Sequence, residues 1–178
     1  MSSSPRPKRS TYERALDMLE ARARGADELR RLLVRKGEPA ADVDETIERL
    51  TRAGLLDDAA YARQLARSKA LGAGMSRRRI QQELARRGVA RDITAEAIAD
   101  VFEDESVDEG KLIERAAAKK LRTLGRLDEP TRRRRLYAFL ARRGFDADDI
   151  QRVMRTVLDG AEDENPRPEQ VEDRGGFG

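Results

Sequence analysis

Arginine supplies nearly all the side-chain chemistry available to this chain. Of 178 residues, 31 are Arg and 6 are Lys, against 34 Asp plus Glu, and none is His or Cys. Without Cys there is no disulfide framework and no thiolate metal site. Without His there is no imidazole acid–base chemistry and no triad, and zinc would need carboxylates alone. Gly72-Ala73-Gly74 lacks the rest of a phosphate loop, and no Gly-x-x-x-x-Gly-Lys-[Ser/Thr] run occurs. Asp57-Asp58 has the chemistry to hold Mg²⁺, but it also stands where a helix needs an N-cap. Glu103-Asp104-Glu105 reads as a solvated link between units. The expectation is a binding protein and not an enzyme, with no cofactor, no metal and no small-molecule substrate.

Charge recognition is what remains. The net charge is +3, but it is unevenly placed: residues 60–100 carry +5, 101–109 carry −5, 110–158 carry +8 and 159–178 carry −5. Basic blocks of this kind face nucleic acid or an acidic partner. One basic element occurs three times, as Arg35-Lys36-Gly37, Arg86-Arg87-Gly88 and Arg142-Arg143-Gly144. Cations there suit the negative end of a helix dipole, and the same pair repeated along the chain also suits spaced contacts to an acidic partner. If Ile80 and Leu84 face inward, Arg78, Gln82 and Arg86 form an exposed stripe, while Arg79 pairs with Glu83 four residues on. The candidate contact residues are Lys69, Arg77, Arg78, Arg86, Arg87, Lys119, Lys120, Arg122, Arg134, Arg135, Arg142 and Arg143. Arg132 is nearer the Leu136/Leu140 face and is expected to lay its stem along the core edge. Four consecutive Arg, 132–135, with no aromatic beside them suit phosphate contact better than base reading.

The elements that position these side chains are helices, because apolar residues recur at three- and four-residue spacing. Ser10 with Glu13 forms a capping box before Ala15, Leu16 and Leu19, and Gly25 is the expected stop. Leu29, Leu32 and Leu33 follow, ended by Gly37, and Pro39 suits the first turn of a helix carrying Val43, Ile47 and Leu50 to Gly54. Asp57 or Asp58 opens a helix with Tyr61, Leu65 and Leu71, ended by Gly72 or Gly74, and Ser76 caps one with Ile80 and Leu84, ended by Gly88. Asp92 or Thr94 opens one with Ile98, Val101 and Phe102. Ser106 with Glu109 offers a second capping box before Leu112, Ile113, Ala116 and Leu121. Asp128 or Glu129 before Pro130 opens a helix with Leu136, Phe139 and Leu140, and Asp146 opens the last, with Ile150, Val153, Met154 and Val157. The total is nine helices and no strand.

Those helices repeat. Leu29-x-x-x-Leu33-x-Arg35-Lys36-Gly37 matches Ile80-x-x-x-Leu84-x-Arg86-Arg87-Gly88 and Leu136-x-x-x-Leu140-x-Arg142-Arg143-Gly144, at offsets of 51 and 56. So small a unit with 4% aromatics buries little alone and gains by packing on a neighbour. The reading is an all-α chain of three tandem three-helix, helix-turn-helix-like repeats in an elongated curved array, at 10–56, 57–105 and 106–158. Residues 1–9 and the acidic 159–178 are expected to be disordered tails, and the second could fold over the basic blocks as a screened competitor. Asymmetric repeats point to a monomer. The absence of a signal-like start or an apolar span points to the cytoplasm.

The run Leu50-x-x-x-Gly54-Leu55-Leu56-Asp57-Asp58-x-x-Tyr61-Ala62, then Ser68-Lys69, Gly74, and Ser76-Arg77-Arg78-Arg79-Ile80-x-x-Glu83-Leu84-x-x-Arg87-Gly88-Val89, resembles the family of the bacterial regulatory protein RecX, modulator of the RecA recombinase. The resemblance covers about residues 11–158 and is most specific over 50–89. It extends to Glu28-Leu29-Arg30-Arg31-Leu32-Leu33-x-x-Lys36-Gly37 and, more loosely, to Leu140-x-Arg142-Arg143-Gly144-Phe145; Ala26 departs from it where the family often has a polar cap. It implies three tandem three-helix units and a non-enzymatic negative regulator. Such a protein binds RecA filaments on single-stranded DNA and limits their extension, ATP hydrolysis, strand exchange and SOS co-protease activity. Weak direct DNA binding accompanies this in some members. General DNA binding without RecA is the alternative.

Overall fold

In the computed structural model, residues 9–163 are described, with side chains through Leu158. The expectations about both tails fall largely outside that range. The described residues form nine α-helices and no strand: α1 (Thr11–Ala21), α2 (Ala26–Arg35), α3 (Ala40–Arg52), α4 (Asp58–Arg67), α5 (Arg77–Arg86), α6 (Arg91–Asp104), α7 (Glu109–Arg122), α8 (Glu129–Arg142) and α9 (Ala147–Asp163). The extensive helix–helix contacts all lie within the triplets α1–α3, α4–α6 and α7–α9. Each triplet has its own core. Leu29, Leu33, Val43 and Leu50 centre the first, Ile80, Leu84, Ile98 and Phe102 the second, and Ile113, Leu136, Leu140 and Ile150 the third.

Several helix ends differ from the sequence reading. Helix α1 stops at Ala21, and Gly25 is the N-cap of α2 rather than the end of α1. Pro39 is itself an N-cap, one residue before its expected place, and α6 opens at Arg91 behind Ala90, with no side-chain cap from Asp92 or Thr94. The second capping box does not form. Ser106 takes φ +48, and Asp108 caps α7 by accepting from the Lys111 amide. A short carboxylate one residue before the helix reaches the free N–H groups more directly than a hydroxyl three residues before it. After α4 the chain makes one π-helical turn, Ser68–Gly72, and Gly74 (φ +59) ends it. That turn pushes Leu71, expected in the core, out to 51% exposure. The first capping box, Ser10 with Glu13, and the caps at Asp57, Ser76 and Asp128 form as read.

The triplets meet through one joint, made twice. The first residue of α4, Asp58, accepts from the amide of the first residue of α2, Ala26, at 2.8 Å. The first residue of α7, Glu109, accepts from the amide of the first residue of α5, Arg77, at 3.0 Å. Both carboxylates cap a neighbour's helix, whose first N–H groups its own turns cannot satisfy. The glycine of each later basic element completes the joint. A Cβ at Gly88 would stand 2.5 Å from Asp27 Cβ, and one at Gly144 2.5 Å from Arg79 Cβ and 2.6 Å from Ser76 Oγ. At the second joint the Arg143 carbonyl also accepts from the Ser76 amide, at 3.0 Å. Gly37 has the same left-handed backbone (φ +85, against +81 and +87) yet open space around it.

Alanine at these three glycines should therefore separate strain from docking. Gly37→Ala carries only the left-handed penalty, about 1 kcal/mol. Gly88→Ala and Gly144→Ala add overpacking of about 1–3 kcal/mol, because backbone-proximal atoms must move. Thermal unfolding followed by circular dichroism should show both well below Gly37→Ala in midpoint. Equal midpoints for all three would remove the joint from the account.

Candidate functional site

Capping and core packing place the basic residues, and the structure then sorts them into two groups. In the second triplet most are held by the chain itself. Arg87 donates to the Tyr61 hydroxyl at 2.9 Å and to Glu83 at 3.1 Å. Burial opposes the charge on Arg87, but those two bonds outweigh it and raise its pKa. Burial likewise opposes ionised Glu83. The Arg87 bond and charge, followed by the charges of Lys69 and Arg86, prevail and hold its carboxyl below the ordinary value. Arg86 bonds the Gln82 carbonyl at 3.3 Å, reaches Glu83 only at 4.0 Å, and stays 60% exposed. Lys69 is half-buried on the π-helical turn.

The stripe expected at Arg78, Gln82 and Arg86 is thus divided. Arg78 Nε donates to the Gly144 carbonyl at 3.1 Å, and its Nη2 reaches the Phe145 carbonyl at 3.5 Å, so it serves the second joint. Arg77 lies over the Phe102 ring, 4.0 Å from its centroid, with Glu109 at 3.8 Å. The pairing expected between Arg79 and Glu83 is absent: Arg79 contacts Gln82 at 3.5 Å and lies under Gly144, while Glu83 turns to Arg87. The joint wins over an exposed i,i+4 pair because such a pair contributes only a few tenths of a kcal/mol.

The third triplet is different. Lys119, Lys120, Arg122, Arg134, Arg135 and Arg142 form no ion pair and no side-chain hydrogen bond among the described residues. On α7, Arg115, Lys119 and Arg122 follow one helical line at i, i+4 and i+7. On α8, Arg135 and Phe139 stand at i and i+4, with the C-cap Arg143 four residues further on. Arg115 escaped the candidate set, although this spacing was available to find it. Lys119, Lys120 and Arg143 come together with Arg115 at a cleft of about 290 Å³ between the π-helical turn and α7. The Arg143 guanidinium covers the Phe139 ring at 3.9 Å from its centroid, with Lys120 at 5.4 Å. Burial, then the charge of Arg142, pushes the Arg143 pKa down. The arrangement offers anion recognition. Among the described residues no cluster of three or more potential ligands could hold a metal, and no helix is long and apolar enough to cross a membrane.

Comparison with known proteins agrees with this architecture. Models of the first, second and third three-helix domains of RecX match residues 12–50, 57–98 and 108–154. A regulatory protein RecX of Pelodictyon phaeoclathratiforme is 39% identical over 153 residues, covering 85% of this chain and 92% of that protein. One from Amycolatopsis mediterranei is 36% identical, covering 78% and 80%. The crystal structure of RecX from Lactobacillus salivarius superimposes with a TM-score of 0.63 at 19% identity, over 83% of this chain and 94% of that one, which shows the shared fold.

The electrostatics set a pH dependence. The carboxyls of Glu13, Asp108, Asp128 and Asp146 are held low, first of all by backbone N–H groups, and that of Glu38 by the Thr11 hydroxyl. A depressed folded-state pKa contributes stability above the unfolded value and loses it as pH falls through the folded one. With no His in the chain, urea midpoints should stay level from about pH 5 to 8 and decline below about pH 4. A step in the midpoint near pH 6.5 would contradict this assignment.

Proposed function

As the chain belongs to the RecX family of regulatory proteins, we propose that it is a cytoplasmic negative regulator of the RecA recombinase. It binds RecA filaments on single-stranded DNA and limits their extension, ATP hydrolysis, strand exchange and SOS co-protease activity. It acts by occupancy, with no reaction of its own. The observation that carries this reading is the set of six cations on α7 and α8, Lys119, Lys120, Arg122, Arg134, Arg135 and Arg142, which find no carboxylate among the described residues. Uncommitted cations attract an acidic filament surface or DNA phosphate. Of the second triplet's candidates, Arg86 alone remains largely exposed and only loosely paired, so the contact surface centres on the third. Binding to bare DNA without RecA is the second reading, and the same six cations favour it.

We propose further that the protein works as a monomer. The first triplet lacks the carboxylate with which the joint is made. Where α4 and α7 begin with a carboxylate, α1 begins with Thr11, whose hydroxyl donates to Glu38 at 2.6 Å.

Wild-type protein should suppress the ATPase of RecA on single-stranded DNA below stoichiometric amounts. Lys119→Glu with Lys120→Glu places like charge against the partner, a cost of a few kcal/mol. It should raise the half-inhibitory concentration at least about tenfold, with helicity kept. Arg78→Glu should act mainly through thermal stability. If the lysine pair leaves inhibition intact, the third-triplet surface is not the contact. If bare DNA is bound equally with and without RecA and the ATPase is untouched, the second reading takes over.

A further inference from the structure

We infer that the cleft between the π-helical turn and α7 is a docking subsite for an acidic peptide segment carrying one bulky apolar side chain. The inference rests on the third triplet being a binding surface and names the chemistry of what it takes there. Four cations line the cleft, Arg115, Lys119, Lys120 and Arg143, and no carboxylate does. Its floor is apolar, from Leu112 and Ala116 of α7 and Phe139 of α8, and Leu71 stands at its rim, half in solvent. An apolar floor inside a cationic rim matches a side chain inserted between carboxylates.

Two details bear on what the cleft takes. Arg143 Nε is buried with no hydrogen-bond partner among the described residues, as are those of Arg79 and Arg132 outside the cleft, so the guanidinium over Phe139 is not committed to an acceptor of its own. The π-helical turn is the second, since insertions of this kind recur at functional sites. Here it carries Leu71 to the rim, and Gly74, with φ +59, turns the chain beside Ala116 and Arg143.

The same geometry disfavours single-stranded nucleic acid as the occupant. Base stacking needs an open aromatic face. Phe139 is the one aromatic in the cleft lining, and the Arg143 guanidinium covers it at 3.9 Å. The remaining apolar side chains of the lining, Leu71, Ala73, Leu112 and Ala116, are aliphatic. With about 290 Å³, the cleft holds one large side chain rather than an extended row of bases.

The test uses the full chain and no RecA, so its failure leaves the filament reading standing, and failure of the ATPase experiment leaves this one. A fluorescent 12-residue probe of Asp, Glu and Gly with one central Phe is titrated by fluorescence anisotropy beside the same peptide with Ala for Phe. The Phe probe should bind about tenfold more tightly. Leu71→Asp and Arg115→Glu, both at exposed positions, should each weaken it at least fivefold with unchanged helicity. Equal affinity for the two probes overturns the proposal. So does a 15-nucleotide oligo-dT that outcompetes the Phe probe and is itself weakened by Arg115→Glu, which gives the site to nucleic acid. A synthetic peptide of residues 164–178 binding more tightly than the probe also overturns it, by assigning the cleft to the chain's own acidic end.

Discussion

A helix begins with backbone N–H groups that its own turns cannot reach, and in this protein the carboxylate that meets them at α2 and at α5 comes from the next triplet. Asp58 and Glu109 occupy the same place, the first position of a triplet, and each caps the second helix of the triplet before it. Each cap is a charge-assisted bond across a contact with little shared core. The three cores are separate and the extensive helix packing is internal to each triplet. Orientation between triplets therefore depends on a small number of directed polar contacts and on two glycines with no room for a Cβ. A repeat built this way stays in register because the cap and the glycine must fit together.

That constraint explains the uneven use of arginine. The tripled basic element invites a single role, yet its members do different jobs. Arg87 stays within its triplet, on Tyr61 and Glu83. At the second joint the backbone of Arg143 contributes a carbonyl, while its guanidinium turns to Phe139 and the cleft. Arg142 remains outside. The middle triplet has neighbours on both sides, so Arg77, Arg78 and Arg79 of α5 are drawn into joints or onto Phe102, while Arg86 stays exposed. Among the described residues no further triplet packs on α7–α9, and six of that triplet's cations form no ion pair.

Much of the fold was legible in the residues. Apolar spacing determined the number and type of helices, because burial at a 3.6-residue period admits few alternatives. The glycine offsets of 51 and 56 exposed the three units. Ser10, Asp57, Ser76 and Asp128 announced their helix starts, because capping is chemistry within three residues. Misreadings arose where such local signals competed. Ser106 lost to the nearer Asp108. Gly25 resembled a stop, but Gly there serves the close approach of Asp58, whose carboxylate would lie 3.2 Å from a Cβ.

The sequence by itself determined that this chain is helical, threefold, rich in cations and without His or Cys. Only the tertiary structure decided which cations are free. Arg78 and Lys119 are alike in any local reading, yet one donates to a carbonyl 66 residues away and the other lines an acid-free cleft. The reason is range. Periodicity, caps and dipoles act over a turn or two, whereas the pairing of a guanidinium depends on which acceptor the folded chain brings within about 3 Å, and nothing in the spacing of neighbouring residues encodes that.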